Sequence, residues 1–154
     1  MIVGEATVTV TASPTDVIDF VLDLNRYRQA DRKVGRVGPM QRSGDRGMVQ
    51  FSGRFRGLPA PTGTYPFTVT KSGLQFGSPI AGPAHWFWDF EATFECDETA
   101  DGTVVTHREV FLFKRPWRWL AEPICRRWLE TDTAREMIRF KELIERGHHD
   151  PSDA

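Results

Sequence analysis

Little in this chain announces a compartment, a cofactor or a catalytic apparatus. Only two cysteines, Cys96 and Cys125, occur in 154 residues. That is too few for a disulfide framework, and they lack metal-site spacing, so both are expected to be reduced, buried thiols. No stretch approaches the roughly 20 apolar residues of a membrane-spanning helix. The start, Met1-Ile2-Val3-Gly4-Glu5, lacks the basic and apolar segments of a secretion signal, and a cytoplasmic location is the expectation. A Walker loop, a Gly-rich dinucleotide fingerprint, an HExxH zinc motif and a nucleophile elbow are all missing, so neither a cofactor nor a catalytic metal is expected. His148-His149 has no cysteine or carboxylate at metal-site spacing and reads as part of a frayed polar tail over 148–154. Internal repeats and low-complexity tracts are absent.

Charge of one sign is not in excess overall, the net being −1, but it is unevenly spread. Residues 26–56 hold nine basic side chains, Arg26, Arg28, Arg32, Lys33, Arg36, Arg42, Arg46, Arg54 and Arg56, against Asp31 and Asp45. Because these form no dense run, the expected reading is a solvated sheet face with scattered arginines. An anionic lipid surface or an acidic partner is the functional alternative, and nucleic acid is not expected. With 40% hydrophobic and 27% charged residues, the composition is that of a globular chain, and residues 1–147 are expected to form one domain.

Residues 2–11 alternate valine with small or polar residues and predict a first strand. Ser13-Pro14 with Asp16 is an N-terminal helix signal, and Val17, Ile18, Val21 and Leu22 share the face that follows. A second short helix is expected over 25–31. Strands are then expected at about 34–43, 46–56, 63–71, 74–79, 84–97 and 102–114, with looser rim loops at 57–63 and 77–83. Residues 117–146 predict a long amphipathic helix, about 45 Å if fully helical. Its inward stripe is expected to run through Leu120, Ile124, Trp128, Ala134, Ile138 and Leu143, joined by Cys125, Leu129, Met137 and Ile144. Pro116 and Pro123 bracket its beginning, where 117–122 is expected as a separate turn. Both amphipathic patterns are satisfied by an α+β fold in which a seven-stranded antiparallel sheet curves around the C-terminal helix, with two short helices after strand 1.

Ser13-Pro14-Thr15-Asp16-Val17 after the first strand, Asp23 and Tyr27 in the helices that follow, and Asp101-Gly102-Thr103-Val104-Val105-Thr106 leading into the closing helix resemble the START-like (SRPBCC) superfamily, the polyketide cyclase/dehydrase and lipid-transport-like proteins. The resemblance spans nearly the whole chain and implies a helix-grip fold enclosing an apolar cavity for lipids, sterols or polyketides. Where family members often carry a tryptophan soon after the Tyr27 position, this chain has Arg28-Gln29-Ala30, so part of the implied pocket lining is altered.

Alternation over 85–96 puts Trp86, Trp88, Phe90, Ala92, Phe94 and Cys96 on one face of a strand. Over 104–114 it puts Val105, His107, Glu109, Phe111 and Phe113 together, and the family-like register makes this face inward. His107 and Glu109 are therefore candidate polar anchors for a ligand carbonyl or hydroxyl, and candidate catalytic proton-transfer groups. Tyr65, Thr131 and Arg135 are their possible partners. With Phe67, Trp86, Trp88, Phe90, Phe94, Phe111 and Trp128 as apolar walls, they make up the expected ligand-binding set. Three functions remain open: a binding or carrier protein for a small hydrophobic ligand, gated by the Gly/Pro loops and 117–123; a cyclase/dehydrase-type enzyme using His107 and Glu109; or a protein whose basic 26–56 segment makes transient contact with an anionic membrane surface.

Overall fold

The computed structural model describes residues 1–149. Strand β1 (Ile2–Val10) is followed by helices α1 (Pro14–Leu22) and α2 (Leu24–Tyr27). Strands β2 (Val34–Ser43), β3 (Arg46–Phe55), β4 (Leu58–Thr70) and β5 (Gly73–Phe76) come next, then a 3-10 turn (Pro83–Trp86), β6 (Trp88–Thr99), β7 (Gly102–Phe113) and the helix α3 (Trp117–His149). The strands form one antiparallel sheet of seven in the order β1-β7-β6-β5-β4-β3-β2. This is the expected α+β helix-grip arrangement, with α3 lying over β1 and β7.

Local chemistry sets the first elements. Ser13 Oγ accepts from the Asp16 amide at 3.2 Å and Pro14 fills the first helical position of α1, so one otherwise unpaired amide is satisfied and φ is preset. Asp23 Oδ1 caps α2 by accepting from the Arg26 amide at 3.3 Å. Helix α3 approaches β1 closely at Gly4, where an added Cβ would lie 2.2 Å from Thr133 Oγ1 and 3.1 Å from Leu129 Cγ. We therefore expect Gly4→Val to cost about 1–3 kcal/mol by overpacking, measured by urea unfolding. An unchanged midpoint would contradict the close helix–strand approach.

Four local expectations are corrected. Residues 57–63 are not a rim loop. Arg56 (φ 51°) and Gly57 (φ 82°) make a two-residue turn, and β4 starts at Leu58. Its early prolines are tolerated because β5 pairs only with Phe67–Thr70, so 58–66 has β3 as its single strand neighbour, with a register shift between Ser52 and Arg54. Trp86 does not begin the β6 face: it closes the 3-10 turn set up by Pro83 and is 75% exposed. Residues 117–122 are not a separate turn, because α3 runs unbroken from Trp117 through Pro123 and extends to His149. Of the expected tail, 150–154 lies outside the described residues.

The fourth correction is the inward face of α3. Leu120, Ile124 and Ile138 are exposed, as is Ala134, while Cys125, Leu129, Thr133, Glu136, Met137, Phe140 and Ile144 are buried. The period is helical, but the face is rotated toward two polar residues. On the sheet, the inward assignments hold. Trp88, Ala92, Phe94 and Cys96 on β6 and Val105, His107, Glu109, Phe111 and Phe113 on β7 are buried, with Phe90 half-buried.

Candidate functional site

Two spaces open between the sheet and the helices, and they adjoin. The inner one is a void of about 50 Å³ walled by Leu24, Phe51, Phe55, Tyr65, Phe76, Trp88, Phe90, Ala92, Phe94 and Phe111, with Tyr27, Asp31, Lys33, His107 and Glu109 at its polar end. It has room for a few waters but not for a drug-sized ligand. Phe55 stands at the centre of its aromatic wall, in edge-to-face contact with Trp88, Phe111, Phe113 and Trp128 at centroid distances of 5.3–5.8 Å. Phe51 stacks on Tyr65 at 4.3 Å. Burial pushes the Tyr65 hydroxyl up to about 12, opposed by the nearby Trp88 indole. The indole N–H nevertheless makes no hydrogen bond of acceptable geometry and is a buried, unpartnered donor.

The polar end is a charge network centred on Lys33. Its Nζ lies 2.9 Å from Asp31 Oδ1, 3.1 Å from Glu109 Oε1, 3.1 Å from Asp132 Oδ2 and 2.5 Å from Glu136 Oε2. His107 Nε2 faces Glu109 Oε1 at 3.1 Å and Glu136 Oε1 at 3.3 Å, its Nδ1 lies 3.0 Å from the Thr93 carbonyl, and its ring stacks on Phe94 at 3.9 Å. The Tyr27 hydroxyl donates to Glu136, and Thr133 Oγ1 donates to the Leu129 carbonyl at 2.8 Å.

Burial opposes charge on every member, so the partners decide each state. For His107, burial works downward but Glu136 and Glu109 overcome it and raise the imidazole to about 10. It is therefore an imidazolium at neutral pH, donating from both nitrogens. Lys33 is likewise disfavoured by burial, yet Asp31, Glu109, Glu136 and Asp132 together hold it well above the ordinary lysine range. Burial would raise Glu136, but Lys33 and His107 lower it. Asp31 goes the other way: burial and the neighbouring Glu136 outweigh Lys33 and raise it to about 7. Four carboxylates thus share two cations. The sets His107, Glu109, Glu136 and Asp31, Asp132, Glu136 each bring metal-ligating atoms within 4.8 Å. The Lys33 ammonium sits among these oxygens and supplies the positive charge an ion would bring.

The outer space is an open cleft of about 1070 Å³ that shares Val34 and Gly53 with the inner void. Arg28, Arg32, Arg36, Arg54, Arg56 and Arg135 line it, with Trp128 and Asp132. Five of the nine basic residues of the 26–56 segment thus converge on one concavity instead of being scattered. Of the others, Lys33 is buried in the network and the Arg26 guanidinium lies 4.9 Å above the Phe20 ring.

Of the expected ligand-binding set, Tyr65, Trp88, Phe90, Phe94, His107, Glu109 and Phe111 meet around the void. Phe67 is buried elsewhere against Phe76, and Trp86 is at the surface. Thr131 is exposed and donates to the Arg127 carbonyl in its own helix, so it does not satisfy His107 and Glu109. Trp128 and Arg135 line the outer cleft. Lys33, Asp31 and Glu136 were missed as site residues. The available signal was Asp31 and Lys33 between the apolar Ala30 and Val34, and Glu136 beside Met137 on the buried face.

A helix-grip protein with a buried polar cluster at the end of an aromatic void defines the class. The chain belongs to the polyketide cyclase / dehydrase and lipid transport family, whose model matches residues 1–145. Its fold is similar to that of TTHA0849 from Thermus thermophilus (15% identity, 94% of this chain and 98% of that one, TM-score 0.75). It is also similar to the Zhui aromatase/cyclase from a Streptomyces species (15%, 94% and 92%, 0.64) and to a STAR-related lipid transfer protein from Xanthomonas axonopodis (17%, 91% and 84%, 0.66). No curated protein sequence matches the chain. No helix among the described residues is long and apolar enough to cross a membrane.

Proposed function

We propose that the protein binds a small hydrophobic molecule carrying a hydrogen-bonding group, with the apolar part among Phe55, Tyr65, Trp88, Phe90 and Phe111. The observation that carries this reading is the unpartnered Trp88 indole N–H, buried in the wall of an otherwise aromatic void. A ligand oxygen would satisfy it. The present 50 Å³ is far below the roughly 300 Å³ of a ligand pocket, so binding requires Phe55 to turn outward and merge the void with the cleft. The family, and relatives named as an aromatase/cyclase and a lipid transfer protein, support a hydrophobic ligand. Proton transfer by His107 and Glu109 has less support, because both imidazole nitrogens already donate within the network.

Titration with 1-decanol and 2-naphthol, followed by tryptophan emission, tests this. Binding is expected, and Ala92→Phe, which projects a ring into the void, is expected to weaken it at least about tenfold, or about 1.4 kcal/mol. Circular dichroism checks that the variant remains folded. Failure of both ligands to bind, or equal binding to the variant, overturns the proposal.

A further inference from the structure

We propose that the arginine-lined cleft is the head-group site for the same ligand, which is therefore an anionic amphiphile: a hydrophobic body ending in a phosphate or carboxylate. This rests on the ligand-binding reading above and adds the charge of the polar end. Arg28, Arg32, Arg36, Arg54, Arg56 and Arg135 surround one space, and among the described residues none of the six has a carboxylate within ion-pair distance. The one carboxylate in the lining, Asp132, is held by Lys33 at 3.1 Å. Six like charges facing one concavity repel one another and focus a positive potential into it. An oxyanion relieves that repulsion, and the planar guanidinium fork matches its oxygens.

Two further features tie the cleft to the void. Trp128 forms part of the cleft and touches Phe55, a wall of the void, at 5.8 Å, so an apolar path connects the two spaces. Arg56 holds a left-handed backbone conformation, φ 51°. A side chain other than glycine is strained there, and an asparagine-glycine pair would suit the turn better. The strain is explained if the guanidinium is needed where this turn puts it, at the edge of the cleft.

The test compares decyl phosphate, decanoate, 1-decanol and inorganic phosphate, each below its micelle concentration, by calorimetry and tryptophan emission. Decyl phosphate or decanoate is expected to bind at least about tenfold more tightly than 1-decanol. Raising salt from about 0.05 to 0.5 M should erode that advantage while leaving 1-decanol unaffected. The exposed double variant Arg36→Gln/Arg54→Gln should remove most of the preference and keep 1-decanol binding, whereas Arg127→Gln, outside the cleft, should change neither. Competition of decyl phosphate by inorganic phosphate but not by acetate marks a phosphate head, and the reverse marks a carboxylate. Equal affinity for 1-decanol and both anionic ligands, or an unchanged preference in the double variant, overturns the head-group site alone. Failure of every decyl ligand overturns the ligand-binding reading with it.

Discussion

Lys33→Met should destabilise the protein by about 3–5 kcal/mol at pH 7.5, the range for breaking a buried ion pair by removing one partner. The ammonium is 6% exposed and lies within 3.1 Å of four carboxylates. Without it, Asp31, Glu109, Asp132 and Glu136 surround a thioether, and among the described residues His107 is the one cation left within ion-pair distance of them. The folded state can relieve this only by taking up protons. Two consequences separate loss of the charge from simple loss of packing. The penalty should shrink as pH falls from 7.5 toward 5, because the crowded carboxylates protonate more readily in the variant. The double variant Lys33→Met/Glu136→Gln, which removes one negative charge with the positive one, should recover part of the loss. Urea midpoints at the two pH values measure both effects. A penalty under about 1 kcal/mol that does not vary with pH would mean that the ammonium contributes no more than a surface ion pair does.

The same network explains what could and could not be read from the chain. Period-two alternation over 104–114 sorted β7 into two faces and the resemblance to the family chose the one with His107 and Glu109 as inward; the alternation is clear because every residue of that face is buried and the strand is regular. The Ser13-Pro14 signal located α1 because it is a local interaction, complete within four residues. Helix α3 was located correctly but turned about its axis. Its buried face contains Thr133 and Glu136, which hydropathy assigns to solvent, while its outer face carries Leu120, Ile124 and Ile138, which hydropathy assigns to the core. A buried glutamate is legible only when its partner is known, and the partner, Lys33, lies 103 residues earlier in the chain.

Arginine placement was illegible for a related reason. Arg28 follows α2, Arg36 lies on β2, Arg54 on β3 and Arg135 on α3, so no local run reveals that they face one another. Tertiary structure gathers them by pairing β2 with β3 and bringing Arg135 of α3 to the same cleft. Trp86 shows the limit of alternation itself. Its neighbours at 88, 90, 92, 94 and 96 obey the pattern, but the preceding Pro83 turns the backbone, and a period-two pattern carries no information about where a strand begins.

Stability should peak at about pH 4, between the unfolded values of Asp31 and Glu136, and decline steadily toward alkaline pH instead of staying flat through neutrality. His107 is raised to about 10 in the folded protein from an ordinary 6.5, so its contribution is fully present below about 6.5 and is lost as pH rises toward 10. Within that window the folded state holds one proton that the unfolded chain has released, and the slope is about −1.4 kcal/mol per pH unit. Asp31 adds a further loss at lower pH. Its carboxyl is raised from 3.8 to about 7, so the folded state keeps a proton between those values and stability falls as pH rises through them. Glu136 acts in the opposite sense. Lowered by Lys33 and His107, it contributes above its unfolded value near 4.5 and its contribution is lost as pH falls below that, which gives the curve its acid limb. Urea denaturation at half-unit steps from about pH 2.5 to 10 measures the profile, and His107→Gln assigns it. Glutamine can still donate to Glu109 or Glu136 but cannot titrate, so the decline between pH 7 and 9.5 should flatten in this variant while the acid limb remains. A wild-type profile flat from pH 7 to 9.5 would mean that His107 is neutral when folded, and a proton-transfer role for the His107–Glu109 pair would regain its standing.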